Sequence, residues 1–258
     1  MPLRGLYPQN NYLLRTSVLL VLLGALLPSC SRPGDSDFRL GILESERSKR
    51  RPSPLEIRNP EKAPMSATIG DLRIDFPERW RLCIHKDCQM EDSQYWHAWF
   101  ARLDIIREGG DIKIDIGYMQ GKTFLCDIPQ DIMRVMHRAS PNPQGVLKSY
   151  KTDLELFDAA CTVVPEDYRL SHGKAREKAK VLLYMKYYRM FVDKRFAFGG
   201  ARGFLAFNGG DEQRRYAVDL FDLQGKFRGS LDVCFPDNFP QDEALQLVAQ
   251  VLYGCKFQ

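Results

Sequence analysis

Thiols and an imidazole are concentrated in one short segment, Cys83-Ile84-His85-Lys86-Asp87-Cys88. A tetrahedral zinc site usually combines two pairs of Cys or His ligands, each pair separated by two to four residues. The chain offers one such cluster. In an oxidising compartment, Cys83 and Cys88 instead predict a disulfide that closes a turn, with His85 exposed in it. We favour the disulfide over a metal site.

Other segments of the sequence lack the residue patterns of several known catalytic motifs. Residues 117–123 resemble a phosphate-binding loop, but three residues separate the two glycines where the motif has four. The chain contains no Gly-x-Ser-x-Gly or His-Glu-x-x-His motif. Four acidic residues flank one predicted hairpin, and a pair of them at the right separation would suit glycoside hydrolysis. They are Asp104, Glu108, Asp111 and Asp115. The sequence predicts no catalytic residue, no metal, no cofactor and no nucleotide, and therefore a protein that is not an enzyme.

The N-terminus has the pattern of an export signal. Arg15 precedes a short apolar run that ends at Leu27-Pro28-Ser29-Cys30. This pattern resembles the bacterial lipoprotein signal, in which the cysteine is acylated and becomes the new N-terminus. The resemblance implies lipid attachment, such as palmitate, at Cys30 and removal of the residues before it. Ser31, by the same resemblance, implies an outer-membrane destination facing the periplasm.

Charge and cysteine content fit an exported protein. Residues 1–30 carry two arginines and no acidic residue, so the remaining chain has 35 basic and 33 acidic residues, a net charge of +2. That balance argues against a nucleic-acid partner, which would require neutralising several phosphates. Six cysteines follow Cys30, an even number that permits up to three disulfides. Translation from Met65 is an alternative, and it would give a cytosolic protein with reduced thiols and favour the Cys–His metal site.

Composition divides the chain into three parts. Residues 1–30 form the predicted signal peptide. Residues 31–66 contain five prolines, many serines and charges and no sustained apolar periodicity, which predicts a disordered tether. Residues 67–258 are long enough for a single domain.

Periodicity predicts an α+β fold for this domain. Alternating apolar and polar residues predict strands at about 72–76, 80–84, 95–106 and 112–118, and again at 203–207, 215–221 and 227–235. Three helices are predicted between the two groups of strands, and a last helix begins near Pro240 and ends at Gly254. We expect an antiparallel sheet with the helices packed on one face, a helical middle segment and a C-terminal helix.

The two ends of the domain carry a weak resemblance to a known family. The start, Ile69 to Trp80, has a strand followed by Pro77 and then Trp80, and the end is a hairpin with a closing helix that finishes Tyr253-Gly254-Cys255. Both resemble PsbP-like and DcrB-like exported proteins. The resemblance implies a non-catalytic envelope protein that binds or supports other components.

The expected function is a lipid-anchored envelope protein that binds or scaffolds through contacts with an unknown envelope partner. Two alternatives remain open at this point. One is a periplasmic inhibitor or immunity protein of an envelope-targeting enzyme. The other is a cell-wall or lipid hydrolase with a carboxylate pair, which requires two facing carboxylates in a cleft.

Overall fold

The computed structural model describes residues 49–89, 95–121, 133–134, 136–137, 140–189, 192–207, 214–236 and 238–258. All of them belong to one compact unit within Ile42–Gln258. The predicted signal peptide, Cys30, residues 31–48 of the predicted tether and Cys126 lie outside the described residues.

Eleven strands and five helices make up the described part of the chain. In chain order they are β1 Ser53–Pro54, β2 Met65–Ile69, β3 Leu72–Phe76, β4 Trp80–Gln89, β5 Tyr95–Ile105, β6 Ile112–Gly121, α1 Pro143–Leu147, α2 Asp153–Thr162, α3 Pro165–Leu170, α4 Gly173–Arg189, β7 Lys194–Phe198, β8 Ala201–Phe207, β9 Arg214–Phe221, β10 Phe227–Phe235, α5 Gln241–Gly254 and β11 Cys255–Phe257.

The strands form two sheets. The larger has the order β1-β7-β8-β9-β10-β6-β5-β4, and every neighbouring pair in it is antiparallel except β1 with β7. The smaller is antiparallel with the order β11-β3-β2. Because β6 pairs with β10, the helical segment and β7 to β9 form one long insertion between two neighbouring strands.

One face of the large sheet, which we call the inner face, is covered by the small sheet and α5. Alternate residues of β6, such as Ile114, Ile116 and Tyr118, point into this inner core, where α5 contributes Val248 and Leu252. Trp80, only 2% exposed, packs in the same core. Burial of this apolar surface is the main force that holds the two sheets together.

The opposite, outer face is covered in part by the helices that precede β7. Phe204, Phe221 and Phe227 point away from the inner core and pack with Leu156 and Phe157 of α2 in an outer core. The ring of Phe157 stacks on that of Phe204 at 4.6 Å between centroids. Strands β8 to β10 are therefore apolar on both faces at these positions, and a second layer can form only there.

The predicted α+β class, the antiparallel sheet, the helical middle and the C-terminal helix are confirmed. One detail differs from the expected arrangement, because the helices divide between the two faces: α5 lies on the inner face, and α1, α2 and α4 lie on the outer one. The physical reason is the second apolar stripe on β8 to β10. Strict alternation of apolar and polar residues, as on β3 and β6, predicts only one buried face for a sheet.

The end of the predicted tether requires a correction. Residues 50–64, which we call the strap, are bound along the domain, and β2 follows directly at Met65. Leu55 is 6% exposed, and its N–H donates to the carbonyl of Arg195 at 2.7 Å. A segment rich in proline and charge was expected to stay solvated, but its backbone groups find partners on the body of the domain, as described below.

Candidate functional site

Side chains on the part of the outer face beyond the helical layer form a continuous polar surface, which we call the open face. Its members are Arg81, Cys83, Lys86 and Cys88 of β4, Phe100, Arg102 and Asp104 of β5, Lys113 and Asp115 of β6, Arg215 of β9, and Asp232 and Cys234 of β10. Each is half-buried or exposed. Strand alternation places them on one side because their neighbours in sequence fill the inner core.

Consecutive register partners build one row of this face across five strands. Cys83, Arg102, Asp115, Cys234 and Arg215 follow one another from β4 to β9. Arg102 Nε donates to Asp115 Oδ1 at 3.2 Å, and Arg215 donates to Asp232. Opposite charges at facing positions, as in Arg102 and Asp115, or at diagonal positions, as in Arg215 and Asp232, stabilise neighbouring strands, and the two pairs together carry no net charge.

The Cys234 thiol in this row is held protonated. Burial raises the pKa of Cys234 to about 11, with Asp232 adding to the rise and Arg215 opposing it. A thiol is a weak nucleophile, since the thiolate is the reactive form. Cys234 therefore contributes packing between charged neighbours rather than reactivity.

An aromatic ring stands in the next row of the open face. Phe100 faces Gly117 of β6 and Lys86 of β4 in register. Its ring carbon Cδ1 is 3.6 Å from the point that a Cβ on Gly117 would occupy, so the ring lies over the glycine. A half-buried aromatic side chain framed by charged residues is the type of residue that dominates binding energy in protein interfaces.

The segment from Cys83 to Cys88 is a strand, which corrects the predicted turn. Both cysteines are free, and both lie in β4, whose outer edge pairs with no other strand among the described residues. A bulge between Ile84 and Lys86 shifts the register and brings the two side chains onto the same face. At about 3.3 Å per residue, roughly 15 Å separate them. Disulfide geometry requires Cα atoms within about 7 Å, so a Cys83–Cys88 bridge would require the strand to break.

His85 and the four acids singled out in the sequence do not form a metal-binding cluster in the described part of the chain. Among the described residues, no group of three or more His, Cys, Asp or Glu side chains is arranged to hold a metal ion. His97 stacks on Trp99 at 4.1 Å and lies 3.7 Å from a carboxylate oxygen of Asp87. Asp115 is engaged by Arg102, and Asp104 faces Lys113 in register. These acids belong to the charge pattern of the sheet.

Sequence reasoning missed a second polar cluster, at the end of the sheet near the β2–β3 turn. Tyr118 donates its hydroxyl proton to Asp71 Oδ1 at 2.7 Å, and Arg228 Nε donates to Asp71 Oδ2 at 3.0 Å. Arg228 also lies 3.6 Å from Asp222 and over the ring of Phe257. Burial and the Asp71 carboxylate raise the pKa of Tyr118, so the phenol remains a donor.

A small cavity of about 80 Å³ borders this cluster and is lined by Asp71, Gln120, Gly121, Lys226, Phe227 and Arg228. Its volume suits a few water molecules rather than a substrate. The carboxylate of Asp71 already accepts from two partners, which makes the cluster a structural link between the sheets. The three central residues are 47 to 157 positions apart, and no local pattern signals their contact.

Among the described residues, no helix is both long and apolar enough to cross a bilayer. No family model, curated protein or solved structure matches this chain.

Proposed function

We propose that this chain is an exported, lipid-anchored envelope protein that acts by binding another envelope protein, without catalysis. The single structural observation that supports a binding role is the open face, where an aromatic ring stands among balanced charges on an otherwise well-covered sheet. Half of the outer face is packed under helices, and the other half keeps its strands accessible.

The chemistry of the open face favours a partner with a mixed surface. Arg102 and Asp115 are paired with each other, so a partner does not need a strong net charge to approach them. A partner could bind both the backbone groups at the exposed edge of β4 and the side chains on its face. We infer that the partner contributes a polar surface with an apolar site that receives Phe100.

The export and anchoring part of the proposal rests on the sequence from Arg15 to Ser31. Two measurements test it. The native protein should carry an acylated N-terminus at Cys30 by intact mass, and Cys30→Ala should move the protein from the membrane to the soluble fraction. An unlipidated chain that begins near Met65, or unchanged membrane association of the variant, would contradict the anchor.

The binding part has its own test. A photo-cross-linking amino acid at position 100 should give one discrete adduct in intact cells, whereas the same group at Leu223, half exposed in the β9–β10 turn, should not. Phe100→Ala should reduce the purified partner's affinity at least about tenfold. Equal adducts from both positions would mean that the open face has no dedicated partner. An inhibitor or immunity role would appear in this assay as an enzyme captured at position 100.

A further inference from the structure

The strap binds the domain first through the edge of β7. Its two-residue strand β1 runs parallel to β7, with Ser53 beside Lys194 and Pro54 beside Arg195. The N–H of Ser53 donates to the carbonyl of Asp193 at 3.1 Å, and that of Leu55 donates to the carbonyl of Arg195 at 2.7 Å. Addition of a short extended segment to a sheet edge is a recurrent mode of peptide recognition.

Two glutamines of α5 continue this recognition beyond the sheet. Gln246 accepts from the N–H of Arg58 at 3.0 Å and donates to the carbonyl of Glu56 at 3.4 Å. Gln250, four residues further along the helix, accepts from the N–H of Glu61 at 3.1 Å and donates to the carbonyl of the same residue at 3.4 Å. A carboxamide carries one acceptor and two donors, so it matches the paired groups of a peptide backbone. Residues four apart lie on the same helix face.

Few strap side chains take part. Pro52 and Leu55 are buried, Ile57 packs partly against the inner core, and most of the others are exposed. Ion-pair and lysine contacts hold the ends: Arg79 donates to Glu61 at 2.5 Å, and Lys186 Nζ donates to the carbonyl of Arg50 at 2.6 Å. The domain thus binds the strap mainly through its backbone groups, with Leu55 as the main apolar side chain that is buried.

Each of these contacts joins the strap to another part of the chain. The surface formed by the β7 edge, Gln246 and Gln250, which we call the strap groove, therefore has the properties of a peptide-binding site. The segment between Glu61 and the first residue of β2 is short, and short hinge segments favour exchange of an element between identical chains.

We propose that the strap groove is a peptide-binding site that accepts the strap of a second copy of this chain. An identical strap satisfies the same backbone bonds and places the same leucine in the inner core. The intramolecular strap has the advantage of a local concentration in the millimolar range, so exchange needs either a high protein concentration or a weakened strap. This inference depends on neither the open face nor the lipid anchor.

A complementation experiment with the full chain in detergent tests the proposal. One variant, Leu55→Asp, has a defective strap and an intact groove, and the other, Gln246→Ala with Gln250→Ala, has a defective groove and an intact strap. Mixed in equal amounts, they should form a one-to-one heterodimer by light scattering, while each alone remains monomeric. A labelled peptide of residues 50–62 should bind the Leu55→Asp variant at least about tenfold more tightly than the unmodified chain.

Two controls keep the outcome interpretable. The triple variant Leu55→Asp/Gln246→Ala/Gln250→Ala should not bind the peptide, because its groove lacks the carboxamides. If near-ultraviolet circular dichroism shows that Leu55→Asp is unfolded, hydrogen exchange in the unmodified chain replaces it. In that measurement, the amide protons of Ser53 and Leu55 should exchange faster than those of β3. This result would mean that the strap detaches while the rest of the domain stays folded. The absence of a heterodimer between folded variants, or strap exchange only at the rate of the core, would overturn the proposal.

Discussion

Asp71 stands out among individual residues because its carboxylate accepts from two donors, the buried hydroxyl of Tyr118 and the half-buried guanidinium of Arg228. Removal of the carboxylate leaves the guanidinium without its nearest anionic partner and the phenol with only the carbonyl of Arg228, 3.2 Å away, as acceptor. We expect Asp71→Ala to lower the free energy of unfolding by about 2–4 kcal/mol in urea titrations. Asp115→Ala, which breaks the exposed pair with Arg102, should change it by less than about 1 kcal/mol. Equal losses would mean that the Asp71 cluster is no more than a surface contact.

Lys186 predicts a pH dependence. It is 2% exposed, its Nζ donates to the carbonyl of Val163 at 2.7 Å, and burial lowers its pKa from 10.5 to about 8, with Arg51 adding to the decrease and Cys161 and Asp167 opposing it. Between pH 8 and pH 10.5 the unfolded chain holds more of this proton than the folded one, so stability rises with pH. Below pH 8 both states are charged, and the cost of burying the charge is constant.

The check compares the native chain with Lys186→Met in urea titrations at several pH values. The native chain should gain about 1–3 kcal/mol relative to the variant between pH 7 and pH 10.5. Titrating groups that do not interact with Lys186 cancel in the difference. A difference that does not change with pH would show that Lys186 titrates normally.

At the residue scale, sequence reasoning located individual polar side chains but not their partners. Cys83, Cys88, Asp104 and Asp115 belong to a polar sheet surface, and Glu108 and Asp111 lie in the connection between β5 and β6. Asp71, Tyr118 and Arg228 carried no signal, because contacts between residues 47 to 157 positions apart follow from topology. The two glutamines that bind the strap likewise carry no local signal of that contact, because their partners lie 188 to 190 positions away.

Among the elements, the β9–β10 hairpin shows how turn chemistry fixes a connection. Asp222 accepts from the N–H groups of Gln224 and Lys226, and Gly225 adopts a φ of +81°. A Cβ at position 225 would lie 2.9 Å from the hydroxyl of Thr152, the residue that caps α2. The turn therefore sets the position of both the hairpin and the helical layer.

We expect Gly225→Ala to lower the free energy of unfolding by about 1–3 kcal/mol, since a left-handed conformation and a close contact with Thr152 are both unfavourable. Gly109→Ala is the matched control. It lies in another hairpin turn, without a positive φ and with open space at its Cβ position, so it should be neutral or slightly stabilising. The reverse order in thermal melting would contradict this account of the turn.

Helices and strands with a regular pattern of apolar residues on one face were predicted well. Very short strands, and strands with apolar residues on both faces, were not. Strands β3, β6 and β10 and helix α5 lie where alternation and helical spacing indicated. Strands β1 and β11 have two and three residues, too few for any period to appear. Strand β4 continues through Gln89 across a bulge, and the shift of register hid the second half of the strand from the pattern.

For the molecule as a whole, two cores share one sheet. Strands β8 to β10 send Leu205, Val218 and Leu231 into the inner core, and Phe204, Phe221 and Phe227 into the outer core. A mutation that weakens packing on one face therefore destabilises strands whose other face forms the second core. We predict one cooperative unfolding transition rather than two.

Phe157→Ala tests this coupling. It truncates a side chain of the outer core, and it should cost about 3–5 kcal/mol. Trp80 and Trp99, which pack in the inner core, should report the same shifted midpoint by fluorescence as far-ultraviolet circular dichroism does. A shift seen by circular dichroism alone would mean that the two cores unfold separately.

The pairing of β11 with β3 affects the order in which the chain can fold. Cys255 lies beside Ile74, so the small sheet is complete only when its last strand returns across about 180 residues. During synthesis from the N-terminus, β4 to β6 emerge with an apolar face that only β2 and β3 can cover until α5 and β11 follow. Long-range pairing of this kind is slow, and incompletely covered intermediates aggregate readily. We therefore expect this chain to refold slowly and with a yield that falls as the protein concentration rises.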